Sequence, residues 1–483
     1  MTAAPASFFL FQRLPRSVFG FKRFLITWCW AAAVALAGCA NLAPDYTRPA
    51  AAVLHTGQAV GREAASLSWQ QFFSNERLQG TVALALANNR DLRVAALNVE
   101  KARAALRVTD AARLPTVTAG LSTTNAQASG STQPSSTSTA QLALASYEID
   151  LFSRLKNLSV SAQQSLLASD ETRRSTQISL VAEVANAWLT LATDLQRQRL
   201  AQQTLDSRER TLALVSRQYA LGSVTGLELS QAESSLASAR VETAAYPATL
   251  AQDRNALELL LGAALPETLA PRAEDVQRSV SALVDLPEGV PSSVLLQRPD
   301  VLAAEHALMA SHADIGAARA ALFPKISLTA AAGSASSALA ELFSAGTRSW
   351  SYTPAVSVPL FDGGANRAAV RKAEVAREIA LATYDKTVQT AFSEVANALA
   401  VRATLSERLA AQQAWIASTE RQLRLAEAQY RHGATTLLDV LDAQRTYVAS
   451  QQSFMTLQLT EQSNRVALYK VLGGGWNTSP NPN

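Results

Sequence analysis

Tyr430-Arg431-His432-Gly433-Ala434-Thr435-Thr436-Leu437-Leu438-Asp439-Val440-Leu441-Asp442-Ala443 has a twin earlier in the same chain. The twin is Tyr219-Ala220-Leu221-Gly222-Ser223-Val224-Thr225-Gly226-Leu227-Glu228-Leu229-Ser230-Gln231-Ala232. An offset of 211 residues superposes the two without a gap, pairing Tyr219 with Tyr430, Gly222 with Gly433 and Thr225 with Thr436. The register continues to Ala256 and Ala467, Leu261 and Leu472, and Gly262 and Gly473. Upstream, Glu183-Val184-Ala185-Asn186-Ala187 recurs as Glu394-Val395-Ala396-Asn397-Ala398. The chain is an internal duplication, so its fold must use each half twice.

Each twin is a turn between two helical patterns. Before the first turn, Phe152 to Tyr219 reads as one helix, roughly 100 Å long at 1.5 Å per residue. Val184, Leu191, Leu205, Leu212 and Tyr219 recur along it every seven positions, interrupted at Gln198. Before the second turn a helix of similar length carries Leu381, Val388, Val395, Leu409, Ile416, Leu423 and Tyr430 on the same repeat, with Arg402 out of character. A sustained seven-residue seam supercoils a helix against its neighbours. Return helices run to Leu261 and Leu472.

Upstream of each long helix the two copies again agree. Arg77 to Leu114 is helical in pattern and stops at Pro115; Ser292 to Phe323 is helical and stops at Pro324. Thr116 to Ala126 and Thr139 to Leu151 read as strands around a Ser/Thr/Gly/Pro-rich loop, Ser129 to Ser138. The second strand alternates through Ala143, Ala145, Tyr147 and Ile149. In the second copy, Lys325 to Ala332 and Ser351 to Leu360 alternate around a small-residue loop, 333–349. Leu151-Phe152 answers Leu360-Phe361 at an offset of 209, so about two residues are inserted at Asp362-Gly363-Gly364. The resulting domain plan is 39–76 linker, 77–262 first repeat, 263–291 inter-repeat linker, 292–473 second repeat and 474–483 tail. Within the linkers, Trp69-Gln70-Gln71-Phe72-Phe73 is the one clear packing patch.

Residues 1–38 read as a signal peptide. Lys22-Arg23 precede an apolar run from Phe24 to Leu36 that is short for a membrane span. The run ends in Leu36-Ala37-Gly38-Cys39, which resembles the bacterial lipobox, whose Cys is acylated and becomes the new N-terminus. Ala40 rather than Asp follows it, which by resemblance to lipoprotein sorting favours the outer membrane. Cys29 lies in the removed segment, leaving one cysteine and no internal disulfide. The chain has 43 basic and 39 acidic residues, but Arg13, Arg16, Lys22 and Arg23 all lie in that leader, which has no acid. The remainder is balanced, so there is no nucleic-acid footprint.

Strands of about ten residues with one apolar face suit an outer membrane. Two copies supply four, and four cannot close. An open edge in lipid is excluded because unpaired N–H and C=O groups cost several kcal/mol each, and membrane barrels start at about eight strands. The chain must pool strands with copies of itself; three copies would give twelve. The alternative is soluble hairpins stacked on helices.

The layout resembles the TolC/OprM family of outer-membrane efflux ducts, specifically its lipoprotein, OprM-like branch. The resemblance covers almost all of the chain after the leader. It is carried by the Cys39 lipobox with Pro44-Asp45-Tyr46-Thr47-Arg48-Pro49, the two Pro-opened hairpins, Leu360-Phe361-Asp362-Gly363-Gly364, and Gln429-Tyr430-Arg431-His432-Gly433 leading into Leu438-Asp439-Val440-Leu441-Asp442-Ala443-Gln444-Arg445. It implies a mainly α homotrimer with an internal duplication. A twelve-stranded outer-membrane β-barrel, four strands per chain, continues into a twelve-helix periplasmic α-barrel. It also implies a periplasmic adaptor, an inner-membrane transporter of the RND type and no cofactor beyond the lipid on Cys39. Asp439 and Asp442 match the family's periplasmic gate; one helical turn apart, they can face one pore. Tyr219, Tyr430 and Arg445 match positions that tie neighbouring helices. Thr435 stands where one branch carries a gate-locking Arg. Gly222, Thr225, Gly433 and Thr436 match the tips that meet the adaptor.

Catalytic readings fail. His55, His306, His312 and His432 never pair at helical i,i+3 or i,i+4 spacing, so a zinc site is not built. Ser153-Arg154-Leu155-Lys156 fits S-x-x-K without its companion motifs. No phosphate-cradling Gly loop is present. Energy for transport must come from a partner. Three destinies remain: a drug-efflux duct, a duct for type I secretion or metal export, and a lipid-anchored coiled-coil envelope protein that transports nothing.

Overall fold

A computed structural model describes residues 41–49, 68–127, 129–130, 133–278 and 295–474. The leader, Cys39, part of the inter-repeat linker and all but the first residue of the tail lie outside the described residues. The chain divides into two compact units. The first comprises residues up to Thr47, Ala105–Gln163 and Met309–Arg377; the second comprises Arg48–Ala104, Gln164–Leu308 and Glu378–Asn483.

The first unit is organised by one antiparallel sheet of β1 (Val117–Ala126), β2 (Ser135–Ile149), β3 (Lys325–Ser336) and β4 (Arg348–Ser357), in that order. The two hairpins therefore meet at the β2–β3 pair, one strand from each copy. β1 and β4 are the outer strands, and every residue of both is exposed. β2 begins earlier than its apolar alternation suggests. Ser138 and Thr139 sit opposite Thr123 and Ser122, and hydroxyl pairs at 3.0 and 2.8 Å continue the ladder through what reads as a loop. The alternation expected through Ile149 also breaks. The register shifts between Leu144 and Tyr147, with Ser146 at φ 42°, which marks a β-bulge. β4 stops short of Leu360 because Pro359 has no N–H to extend the ladder.

The second unit is helical. Its elements begin with α1 (Trp69–Phe72), α2 (Glu76–Asn88) and α3 (Arg90–Ala111). The expected single helix from Arg77 is thus two. Asn89 leaves the helical conformation at φ −59°, ψ 133°. Its Oδ1 accepts from the Leu92 N–H at 2.8 Å and its Nδ2 donates to the Leu260 carbonyl at 2.8 Å. It caps the next helix and ties it to the end of another, as Asn does at N-caps. α4 (Arg154–Ala220) and α7 (Ala365–Arg431) are the long helices, 67 residues each. α5 (Gly226–Leu261) and α8 (Leu437–Val471) are the return helices. The expected start at Ser292 lies outside the described residues; Leu295 is helical, residues 296–298 turn, and α6 (Pro299–Ala320) begins with Pro299 in the first helical position, where its missing N–H costs nothing.

The seven-residue seam of α7 is half-buried or buried from Leu381 to Tyr430. A second row three residues on, Tyr384, Ala391, Ala398, Leu405 and Thr419, is fully buried. Together they form the two-row stripe of a supercoiled helix. The principal core joins Phe72 and Phe73 to Val184, Trp188 and Leu189 of α4, Leu257 and Leu261 of α5, and Val466 and Tyr469 of α8. Phe72 stacks on Tyr469 with centroids 4.1 Å apart, and Trp188 donates its indole N–H to the Leu269 carbonyl at 3.1 Å. α4 contains an apolar window long enough to cross a membrane, but 67% of it is buried, so its hydropathy serves this core.

Candidate functional site

The two repeated turns lie together in the second unit. Val215, Ala232, Leu437 and Leu441 form one buried cluster, flanked by Leu212, Val224, Leu229 and Tyr430. The four elements α4, α5, α7 and α8 all contribute. A repeat in the sequence has become a pair of neighbours in space.

Each turn is built the same way. Gly222 and Gly433 hold φ of 70° and 71°, a left-handed conformation that costs a side-chain-bearing residue about 1–2 kcal/mol. Thr225 and Thr436 then open the return helices as N-caps, each in a reciprocal box with the residue three on. In the first turn the Thr225 N–H donates to Glu228 at 2.9 Å. In the second, Asp439 accepts from the hydroxyls of Thr435 and Thr436, both at 2.6 Å, and from the Thr436 N–H at 3.1 Å. These bonds, the Thr435 hydroxyl first, hold the Asp439 carboxyl below the usual carboxylate range. Asp439 therefore carries a fixed negative charge at the head of α8, where the helix dipole favours it. The Thr435 and Thr436 hydroxyls both reach the same carboxylate oxygen of Asp439.

The other expected site residues divide. Asp442 is exposed and paired with Arg445 one turn on, so both charges stay on α8. Tyr430 donates its hydroxyl to Gln218 of α4 at 3.2 Å, joining the two copies. Tyr219 is 48% exposed beside the first turn; its carbonyl accepts from the Gly222 N–H at 2.9 Å, and its hydroxyl makes no hydrogen bond among the described residues. Cys39 lies outside the described residues.

Sequence reading missed a buried tie between the copies. Arg208 of α4 is 7% exposed and donates to the Oε1 of Gln444 on α8. Gln444 in turn donates to Glu427 of α7 at 3.5 Å, a long contact. Burial, and then the charge of Arg445, push the Arg208 guanidinium below its ordinary pKa. The link flanks a cleft of about 550 Å³ whose lining includes Arg208, Glu242, Leu438, Leu441, Arg445 and Gln452. Gln444 lay inside the quoted motif; Arg208 carried no motif and is one of several arginines on α4, with Arg197, Arg199, Arg210 and Arg217 close by.

The chain is similar to known proteins over most of its length. The family described as outer membrane efflux protein matches twice, over residues 81–263 and 290–474, one match per repeat. The solvent efflux pump outer membrane protein SrpC of Pseudomonas putida is 42% identical over 461 residues, covering 92% of this chain and 97% of that protein. The cation efflux system protein CusC of Escherichia coli O6:H1 is 40% identical over 458 residues, covering 92% and 97%. The open state of the MtrE outer membrane channel of Neisseria gonorrhoeae superposes with a TM-score of 0.83 at 35% identity, covering 90% of this chain and 99% of that one. A duplicated helical hairpin with one four-stranded sheet, shared nearly end to end with such channels, makes this chain a member of the outer membrane efflux protein family and the outer-membrane channel component of an efflux pump.

Proposed function

We propose that the chain works as a passive, gated duct for small drug-like molecules, assembled from three copies. The observation that carries this reading is the sheet with two uncovered outer strands. In lipid each unpaired backbone group costs several kcal/mol, so β1 and β4 need strands from other copies. Three chains supply twelve strands, a number at which membrane barrels close. The helices hang in the periplasm, and acylation of Cys39 adds an anchor. A single acyl chain anchors weakly and several anchor well, so the lipid is accessory to the barrel.

At the tips, Asp439 and Asp442 from three chains form two carboxylate rings that favour cations. Tyr430, Arg445 and Tyr219 are the residues through which helices release or hold one another. Gly222, Thr225, Gly433 and Thr436 present the turns to a periplasmic adaptor, which couples the duct to an inner-membrane transporter of the RND type. The duct has no catalytic step of its own, and its energy comes from that partner. Relatives named for solvent, toluene and antibiotic efflux support an organic cargo.

The cation efflux relative favours a second reading, export of metal ions. Purified protein in planar bilayers gives cation-selective channels on either reading, and silent bilayers would refute a duct. Deleting the gene and profiling sensitivity separates the two: hypersensitivity to dyes and antibiotics supports the first, and hypersensitivity to metal salts alone supports the second.

A further inference from the structure

Two arginines are buried among the described residues, and their surroundings differ. Arg298 is 8% exposed and has two carboxylates, Asp300 at 2.7 Å and Glu394 at 2.8 Å, with the Val471 carbonyl at 3.1 Å. Arg208 is 7% exposed and has no carboxylate partner among the described residues; its side-chain bond goes to the neutral amide of Gln444. A guanidinium carries five N–H donors, and a buried charge without a counter-charge is costly. Arg208 instead lines the cleft of about 550 Å³ between α4, α5 and α8. Small-molecule sites span ~300–1,000 Å³.

The cleft has a second cation and an apolar end. Arg445 of α8 also lines it. Asp442 takes one of its nitrogens at 2.5 Å, and the Arg445 side chain stays 73% exposed. The Thr243 hydroxyl donates to the Ala201 carbonyl at 3.3 Å, which fixes the alignment of α5 on α4. Arg208 is seven residues past Ala201 and Leu236 seven before Thr243, so on these antiparallel helices the two come level. Ser235 and Ser238, on the cleft wall, therefore offer hydroxyls at the height of Arg208. The acid of the cleft, Glu242, lies six residues beyond Leu236, roughly 9 Å along the axis. It already accepts from Gln452 at 2.7 Å. Towards the turns the wall becomes apolar at Leu441, Leu438 and Leu227. Leu438 is seven residues from Arg445, roughly 10 Å along α8.

We infer that this cleft binds an amphipathic carboxylate, its head between Arg208 and Arg445 and its apolar chain towards Leu441 and Leu438. The head supplies the counter-charge that Arg208 lacks, through charge-assisted hydrogen bonds. The chain covers Leu438 and Leu227, which are exposed on the wall. An inorganic anion satisfies only the arginines, and an alcohol only the leucines. A bound ligand touches α4, α5 and α8 together, so it ties the two copies near their turns. The site needs only that packing and goes beyond the duct reading.

Octanoate tests it, titrated calorimetrically into the full chain held in lipid nanodiscs, with empty nanodiscs as the baseline. Saturable binding is expected in the native chain. Octanol, with the same chain and no charge, should show none. Inorganic phosphate should bind at least about tenfold more weakly, because it buries no methylene. Arg208→Met should weaken octanoate at least about tenfold by removing a charge-assisted bond. Ser238→Leu fills the cleft at the same level and leaves the Arg208–Gln444 bond in place. It should weaken octanoate as much while the circular dichroism stays native, and it decides the matter if Arg208→Met fails to fold. No saturable heat in the native chain, octanol or phosphate binding as tightly as octanoate, or native affinity in either variant would overturn the assignment. None of these outcomes bears on conductance, so the duct reading is tested apart from it.

Discussion

Gln444→Ala should damage the tip more than Arg208→Met, although the arginine carries the charge. In the native chain the buried guanidinium has Gln444 as its neighbour on α8. Removing Gln444 leaves that desolvated cation short of an acceptor, a loss of about 3 kcal/mol. Removing Arg208 leaves only a neutral amide oxygen short of a donor, about 1–2 kcal/mol. Against that stands the relief of a buried charge that its surroundings already disfavour, and the apolar packing of methionine. The net cost is about 1 kcal/mol or less. Hydrogen exchange reads this locally. About 3 kcal/mol corresponds to roughly a hundredfold change in an opening equilibrium, so amides of α4 and α8 beside the link should lose that much protection in Gln444→Ala. Arg208→Met should lose less than about tenfold, and Arg208→Met with Gln444→Leu should return close to the native value. Equal losses in the two single variants, or a larger loss in Arg208→Met, would refute the reasoning.

Asp253 is pushed up to about 6 by burial and then by its bond to, and the charge of, Asp194. A raised carboxyl favours the protonated folded state. Stability from this group is therefore fullest below the ordinary carboxylate range and is lost as pH rises towards about 6. Asp253→Asn should raise the unfolding midpoint at pH 7.5 and leave it unchanged at pH 4; equal shifts at both would count against the pair. At the turns, Gly433→Ala should destabilise by about 1–2 kcal/mol through backbone strain alone, since a Cβ there meets nothing within 4 Å. Urea unfolding checks it, and an unchanged midpoint would contradict it. Neutralising Asp439 and Asp442 together, each as Asn, should raise vancomycin entry into cells. The Asn at 439 keeps an acceptor for the cap, so folding is preserved, and unchanged entry would argue against their role in the gate.

What the sequence disclosed was whatever the chain encodes locally and repeats. Gly222 and Gly433 mark the turns, while the capping pairs Thr225 with Glu228 and Thr436 with Asp439 emerge only in the structure. The 211-residue offset makes each observation count twice. The seven-residue row on α7 was legible because its members are apolar. Its companion row was not, because Ala391, Ala398 and Thr419 are residues that occur on any face. The break at Asn89 was hidden within a continuous helical pattern, since what distinguishes it is a bond to Leu260, far away in sequence. The bulge at Ala145 and Ser146 was invisible for a similar reason: alternation reports a strand's faces and not its register with a neighbour. Arg208 lay outside every motif, and only tertiary packing tells a buried arginine from a solvated one.

The claim on which the rest stands is that one chain cannot complete the membrane wall alone. The mass of the intact assembly, extracted from outer membranes and measured by native mass spectrometry, tests it directly. Three chains, with or without bound lipid, is the predicted result. A stable particle containing one chain, its sheet complete without a second copy, would contradict it.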